Sequence, residues 1–148
     1  MQTLYTIGYT KKNLQDFITR LQDAGVDCVV DIRRHNTSQL AGFSKKDDLE
    51  YLLTKGFEID YVHMPELAPN EEVLSAYKSD RDWKAFGKRY SELMESEWMV
   101  YNFMREAEAH GWEAPCLLCA EDKPEKCHRR LLAEAIAEQV EGLEVIHL

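Results

Sequence analysis

Short apolar runs alternate along this chain with stretches in which apolar residues recur at helical spacing. Five runs rich in β-branched and apolar residues predict strands, at residues 4–7, 28–32, 59–64, 115–119 and 143–148. Helices are predicted between the first three strands and after the fourth, because apolar residues there follow the spacing of one helix face. Strands that alternate with helices in this way pair in parallel through right-handed crossovers.

Polar residues indicate where these helices begin. Asn13 and Asp16 have the spacing of a capping pair before the first helix. We expect Ser44 to cap the second helix, and Asp122 with Glu125 to form a capping box before the last one.

The segment between the third and fourth strands is of a different kind. Residues 70–110 lack a strand pattern and consist of helical stretches dense in aromatic residues, among them Trp83, Phe86, Tyr90, Trp98, Tyr101 and Phe103. We interpret these rings mainly as the core of a helical insertion. The prediction is a single three-layer α/β domain over residues 1–148, with a mainly parallel sheet and a helical insertion between the third and fourth strands.

Composition narrows the class of protein. The 148 residues are 45% hydrophobic, and 27 acidic against 18 basic residues give a net charge of −9. This charge disfavours nucleic acid as a partner, because gripping a phosphate backbone requires broad positive charge. No window reaches the roughly 18 apolar residues of a membrane span, and the first residues lack a secretory signal. We expect a cytoplasmic protein with no membrane partner, whose four cysteines are mainly reduced.

Residues with useful chemistry collect at the predicted carboxyl ends of the strands, the edge at which open parallel sheets bind ligands. The loops at the other edge look plain, as at residues 24–26 and 55–57. We therefore predict a functional site at the carboxyl edge. The candidate residues are Tyr9, Thr10, Asp31, Arg33, His63, Cys119, Glu121, Cys127, His128 and Arg129.

Two of these candidates stand two residues apart on the second strand. Asp31 and Arg33 project to one face if the strand continues. One interpretation is an arginine that binds an anion and is oriented by the carboxylate. The other is a structural ion pair that closes the top of the sheet. His63 and Thr10 likewise either contact a ligand or have a local structural role.

The residues around the start of the last helix suggest thiol chemistry. A helix N-terminus lowers the pKa of a thiol and attracts anions, so Cys127 beside His128 is either an activated thiolate or a small apolar residue. Glu121 shares a face with Cys119 and is a candidate general acid or base, or a helix cap.

The same region raises the question of zinc. Cys116 and Cys119 have the Cys-x-x-Cys spacing of a ligand pair. Positions three apart on a strand face opposite sides, however, so both ligate only if the strand has already ended. We predict no metal site, whereas a redox pair of Cys119 and Cys127 bridging the loop is geometrically easier.

Four segments, at residues 6–10, 31–34, 61–67 and 119–129, resemble the DUF488 family in their order along the chain. The Cys…Cys-His-Arg pattern of the last segment is the most specific part of this resemblance. The chain departs from the family pattern at Tyr9-Thr10, where His-Ser is usual, at Asn36, where Pro is frequent, and at Ala68-Pro69, where a Gly pair is frequent. The first change removes a possible acid–base group. The resemblance implies a compact α/β fold and site residues within these motifs, but no substrate.

Together these observations favour an enzyme that acts on a small anionic ligand, phosphate-bearing or nucleotide-like, at the carboxyl edge. In this hypothesis two arginines hold the anion, a cysteine is the nucleophile, and a histidine and a carboxylate move protons. The residues in these roles are Arg33, Arg129, Cys127 or Cys119, His128 and Glu121. Two alternatives stay open: a non-catalytic module for a nucleotide or nucleic-acid base, and a thiol redox protein that uses Cys119 and Cys127. The sequence leaves the cofactor and the oligomeric state unknown.

Overall fold

All five predicted strands join one sheet. The computed structural model describes all 148 residues. The strands are β1 (Thr3–Gly8), β2 (Cys28–Asp31), β3 (Asp60–His63), β4 (Pro115–Cys119) and β5 (Glu144–His147), in the order β3-β2-β4-β1-β5. Each neighbouring pair is parallel. The predicted α/β class and parallel sheet are therefore confirmed.

Six α-helices connect and cover these strands. They are α1 (Leu14–Asp23), α2 (Lys46–Tyr51), α3 (Glu71–Asp80), α4 (Trp83–Ser96), α5 (Met99–His110) and α6 (His128–Gln139). Helices α3, α4 and α5 all lie between β3 and β4, which confirms the predicted insertion. None of the helices has both the length and the apolar character that spanning a bilayer requires.

The sheet separates two hydrophobic cores and so forms the middle of three layers. Leu118 of β4 belongs to the core under α1 and α2, whereas its neighbour Leu117 belongs to the core under the insertion and α6. This alternation follows from the period of two along a strand, and a strand buried on both faces reads as a continuous apolar run.

The insertion buries most of its aromatic residues in the second of these cores, as predicted. Phe86, Tyr90 and Phe103 are buried there, and Trp83 packs against them. Trp98 and Tyr101 are 68% and 60% exposed, so for these two rings the prediction was wrong. Trp98 stands between α4 and α5 in the left-handed backbone region, with φ of 56°, and this turn directs its ring away from the core.

The helix starts agree with the sequence patterns only in part. The Asn13 side chain accepts a hydrogen bond from the Asp16 backbone N–H at 2.8 Å, as predicted. Ser44 is not a cap, because it ends a 3-10 turn (Gln39–Ser44) and its hydroxyl accepts a hydrogen bond from Arg33.

The capping box predicted for the last helix is also wrong. Helix α6 begins only after Cys127, which occupies the N-cap position without a side-chain hydrogen bond to the helix. The Asp122 carboxylate pairs instead with Lys12, at 2.8 Å. A contact between distant parts of the chain thus takes the side chain that local spacing assigned to a cap.

The register of the strands brings their carboxyl ends level. Gly8 of β1 lies opposite Cys119 of β4, and Asp31 of β2 lies opposite His63 of β3 and Leu118 of β4. Strand β4 stands between β1 and β2 in the sheet. The helices that follow β1 and β2, α1 and α2, pack on the face opposite to α6. The end of β4 therefore borders the kind of crevice at which doubly wound sheets bind ligands.

Candidate functional site

The site candidates form two clusters along the carboxyl edge. We call the first, around the ends of β2 and β3, the arginine cluster; it consists of Tyr9, Asp31, Arg33 and His63. We call the second, between the end of β4 and the start of α6, the cysteine cluster; it consists of Cys119, Cys127 and His128.

An ion pair is the centre of the arginine cluster. Arg33 donates from Nε to Oδ1 of Asp31 at 2.9 Å and from Nη2 to Oδ2 at 2.8 Å, and both residues are buried. The guanidinium also donates to the Ser44 hydroxyl at 3.2 Å and to the Ser44 carbonyl at 2.7 Å. Burial by itself would raise the pKa of Asp31, but the hydrogen bonds from Arg33 and the charge of Arg33 hold that pKa below its usual value.

Neighbouring side chains and the other members of the arginine cluster hold this ion pair in place. Asn36 and the Tyr61 hydroxyl both donate to Oδ2 of Asp31, at 3.0 and 2.5 Å. His63 donates from Nε2 to the backbone carbonyl of Arg33 at 2.7 Å. The Tyr9 ring lies 5.2 Å from the Arg33 guanidinium carbon, a cation–π contact. The polar groups of the cluster are thus directed mainly at one another.

Arg129 organises the loop of residues 120–127 between β4 and α6. Its side chain is fully buried and donates to the backbone carbonyls of Glu121 and Asp122, the second at 3.1 Å. It also donates from Nε to the Thr6 hydroxyl at 3.1 Å. The guanidinium therefore satisfies carbonyls that the turn of the loop would otherwise leave without a donor.

The loop lies directly against the end of β1. A Cβ atom on Gly8 would stand 1.7 Å from the carbonyl oxygen of Glu121, so only glycine permits this approach. The Thr10 hydroxyl donates to the carbonyl of Ala120 at 2.8 Å. Gly8 and Thr10 thus fix the backbone that follows Cys119.

The two sulfur atoms of the cysteine cluster are in contact. Cys127 Sγ lies 3.0 Å from Cys119 Sγ, and the two residues are 1% and 3% exposed. A hydrogen bond from the Cys127 thiol, with those from the backbone N–H groups of Glu121 and Ala120, lowers the pKa of Cys119 against the effect of burial. The same hydrogen bond, together with burial, raises the pKa of Cys127. The shared hydrogen bond thus shifts Cys119 toward the thiolate form and Cys127 toward the thiol form.

His128 completes the cysteine cluster at the first residue of α6. Its Nε2 and Nδ1 atoms lie 3.7 and 3.9 Å from Cys119 Sγ, and the ring makes no other hydrogen bond. The Tyr90 ring contacts it edge to face, with centroids 6.1 Å apart. Burial lowers the pKa of His128, so its imidazole is neutral at pH 7.

The donor atoms of Cys119, Cys127 and His128 all lie within 4.8 Å of one another, the one such group of potential metal ligands in the structure. Cys116 does not join them, because it is buried in the core under α1 and α2. The opposite facing of Cys116 and Cys119 on β4 is therefore confirmed.

The Glu121 side chain is exposed and makes no hydrogen bond to the cysteine cluster. With Thr10 it lines a cleft of about 470 Å³ on the outer side of the loop. The other lining residues are Lys11, Asp122, Lys123, Glu125 and Lys126.

Several residues that support the two clusters were not predicted as site residues. Ser44, Asn36 and Tyr61 support the arginine cluster, and Gly8 supports the loop. Gly8 and Tyr61 lie within the motif segments and Asn36 lies beside one, which was a usable signal. Tyr61 and Ser44 meet Asp31 and Arg33 across 30 and 11 residues of chain. No local pattern predicts those contacts.

Fold and site together define an α/β protein with a cysteine–histidine cluster at the carboxyl edge of a parallel sheet. A family model described as "Domain of unknown function DUF488" matches residues 13–136. The chain therefore belongs to the DUF488 family, as its motifs indicated. Comparison with curated proteins and with solved structures found no match.

Proposed function

We propose that this protein is a thiol-based redox protein in which Cys119 is the reactive thiolate and Cys127 the resolving thiol. The observation that carries the proposal is the 3.0 Å distance between the two Sγ atoms. A disulfide bond is about 2.0 Å long, so the bond forms after a movement of about 1 Å. The lowered pKa of Cys119 and the raised pKa of Cys127 support this division of roles.

The burial of both sulfurs favours a small oxidant, and we assign it to the hydroperoxide class. The Cys119 thiolate attacks the terminal peroxide oxygen, the O–O bond breaks, and the alkoxide or hydroxide leaves with a proton from solvent. Cys119 is then a sulfenic acid. Cys127 attacks the Cys119 sulfur, the S–S bond forms, and the S–O bond breaks to release water. The two electrons lost by the thiols reduce the peroxide, and an external dithiol later reduces the disulfide.

His128 moves the proton in the second step of this scheme. One of its ring nitrogens lies within 4.8 Å of the Cys127 sulfur, and its imidazole is neutral. It accepts the thiol proton as Cys127 attacks and returns it to the departing hydroxide, which leaves as water.

The small-anion enzyme has less support from the geometry than the redox protein. Arg33 and Arg129, which were expected to hold the anion, are both buried and hydrogen-bonded to protein oxygens. Anion binding, and with it the nucleotide-binding module, stays a prediction.

The test is peroxide treatment of the reduced protein, followed by alkylation in denaturant and peptide mass spectrometry. We expect a single disulfide between Cys119 and Cys127, with Cys28 and Cys116 still alkylated. The variant Cys127→Ser should accumulate a trappable sulfenic acid at Cys119, and Cys119→Ser should form neither product. Cys116→Ser is the matched control and should form the disulfide like the wild type. Four free thiols in peroxide-treated wild type, or a disulfide with another partner, would exclude the proposal.

A further inference from the structure

We propose that the reduced cysteine cluster is also a binding site for one thiophilic divalent cation of the Zn²⁺ type. The ligands are Sγ of Cys119, Sγ of Cys127 and one ring nitrogen of His128. The site goes beyond the redox proposal, because ion binding requires the two thiols to be reduced but requires no oxidation cycle.

The spacing of the donor atoms is close to that of a tetrahedral site. With Zn–S near 2.3 Å and Zn–N near 2.0 Å, two sulfurs stand about 3.8 Å apart and a sulfur and a nitrogen about 3.5 Å apart. The distance from Cys119 Sγ to Nε2 of His128 is already 3.7 Å. The two sulfurs, now 3.0 Å apart, must separate by about 0.8 Å. A rotation of one cysteine side chain supplies a change of this size.

The chemistry of the donors selects the ion. Two thiolates and an imidazole suit Zn²⁺ and other thiophilic ions, whereas Mg²⁺ and Ca²⁺ require oxygen ligands. The Glu121 and Asp122 carboxylates, the nearest along the loop, do not belong to the group of converging donors. Three protein ligands leave a fourth position for water, the pattern of reactive rather than structural zinc sites.

The surroundings of the cluster are compatible with a bound cation. A helix N-terminus and a buried arginine both disfavour isolated positive charge, and the cluster lies near Arg129 at the start of α6. Two thiolates and one divalent ion have a total charge of zero, however. The occupied site therefore carries no net positive charge that these features would disfavour. The ring of His128 has Cys119 as its sole hydrogen-bond partner, so coordination displaces no bond to oxygen or nitrogen.

The two states of the cluster exclude one another. An ion that holds the sulfurs about 3.8 Å apart prevents the disulfide, which requires about 2.0 Å. Disulfide formation, in turn, removes both thiolate ligands and releases the ion. A bound ion would therefore protect Cys119 and Cys127 from peroxide.

The experiment uses Co²⁺ as the probe with the full chain, reduced by a phosphine and freed of metal. We expect one equivalent to give sulfur-to-cobalt charge-transfer bands and the visible bands of tetrahedral Co²⁺, both removed by Zn²⁺. Cys127→Ser and His128→Gln should each weaken binding by more than about 100-fold, since even changes around a ligand cost 10- to 100-fold. Cys116→Ser, which alters a buried cysteine of the same strand, should bind like the wild type.

A measurement on the wild type alone covers variants that fail to fold. Zn²⁺ at one equivalent should slow alkylation of Cys119 and Cys127 by at least tenfold, and excess chelator should restore the rate. Absence of the cobalt bands, an unchanged spectrum in Cys127→Ser, or loss of binding in a folded Cys116→Ser overturns the metal site. If the disulfide forms in chelator but no cobalt spectrum appears, the metal site fails and the redox proposal stands. If cobalt binds but peroxide leaves the metal-free thiols intact, the reverse holds.

Discussion

At the scale of single residues, the cysteine cluster is asymmetric although its two thiols are almost equally buried. Cys119 ends a strand, and the backbone N–H groups of Ala120 and Glu121 turn toward its sulfur. Cys127 donates its own thiol hydrogen to that sulfur. The difference in pKa therefore depends on which sulfur accepts hydrogen bonds, and exposure contributes little to it.

This asymmetry predicts the pH dependence of Cys119 reactivity. Thiolate is the nucleophile, so a lowered pKa keeps the alkylation rate high at pH values where an ordinary thiol, with a pKa of about 8.5, is protonated. The pH midpoint of Cys119 alkylation should lie below that value in the wild type and move upward in Cys127→Ala, which loses the strongest hydrogen bond to the thiolate.

Alkylation rates measured against pH, with Cys119 followed by peptide mass spectrometry, give both midpoints. The Cys116→Ser variant is the control and should keep the wild-type midpoint. Equal midpoints in the wild type and in Cys127→Ala would mean that the backbone alone sets the pKa of Cys119.

The sequence predicted which residues lie at the site edge better than it predicted what their side chains contact. The clustering of Asp31, Arg33, His63, Cys119 and Cys127 at one edge follows from strand order and a ligand-site rule, and the register confirms that the strand ends are level. What each side chain touches was not predictable, because the partners come from distant segments. Arg33, for example, has Ser44 among its acceptors, in a turn that no periodicity predicts.

At the scale of elements, the contact between the end of β1 and the loop of residues 120–127 positions the cysteine cluster. Gly8 lies opposite Cys119 in the sheet, and the carbonyl of Glu121 occupies the space of its missing side chain. A side chain at this position must displace either the strand or the loop.

We predict that Gly8→Ala lowers the free energy of unfolding by about 1–3 kcal/mol, the usual range for overpacking. The same substitution should slow formation of the disulfide between Cys119 and Cys127. Gly87→Ala is the matched control: it lies within α4, where a new Cβ meets only Leu131 Cδ1 at 4.0 Å. It should leave stability unchanged or raise it by about 0.5–1 kcal/mol. Urea unfolding and peroxide titration measure both effects, and equal stabilities for the two variants would contradict this view of the loop.

Helices and strands were predicted correctly where the local sequence pattern determines their bounds, and wrongly where contacts with distant residues do. Strand β4 was predicted residue for residue, because burial on both faces leaves a continuous apolar run. The starts at Ser44 and at Asp122 were wrong because Arg33 and Lys12 recruit those side chains. The prediction that Cys127 and His128 lie at the start of the last helix was nevertheless confirmed.

At the scale of the whole molecule, the chain carries a net charge of −9. Arg33 and Arg129 are buried and form hydrogen bonds with oxygen atoms inside the protein. The lysines of the cleft beside the loop stand among three carboxylates. The two arginines that the sequence analysis assigned to anion binding are thus directed into the protein.

We therefore predict no measurable binding of single-stranded or duplex nucleic acid at about 0.15 M salt, because nonspecific binding depends on phosphate neutralisation. Fluorescence anisotropy of labelled oligonucleotides against protein concentration measures this directly. Binding that weakens steeply with added salt would reveal a basic surface and would revive the nucleic-acid module.

The central position of β4 in the sheet affects the order in which the chain folds. Strands β1 and β2 do not touch each other and are joined through β4, which comes more than 80 residues after β2 begins. During synthesis, β1 has no sheet partner until residues 115–119 emerge, so the nascent N-terminal half holds only the β2–β3 pair. Such long-range closure slows folding. Cys119 ends β4, so the two thiols reach their native burial only once the sheet has closed, and their protection from alkylation is a marker of the completed fold.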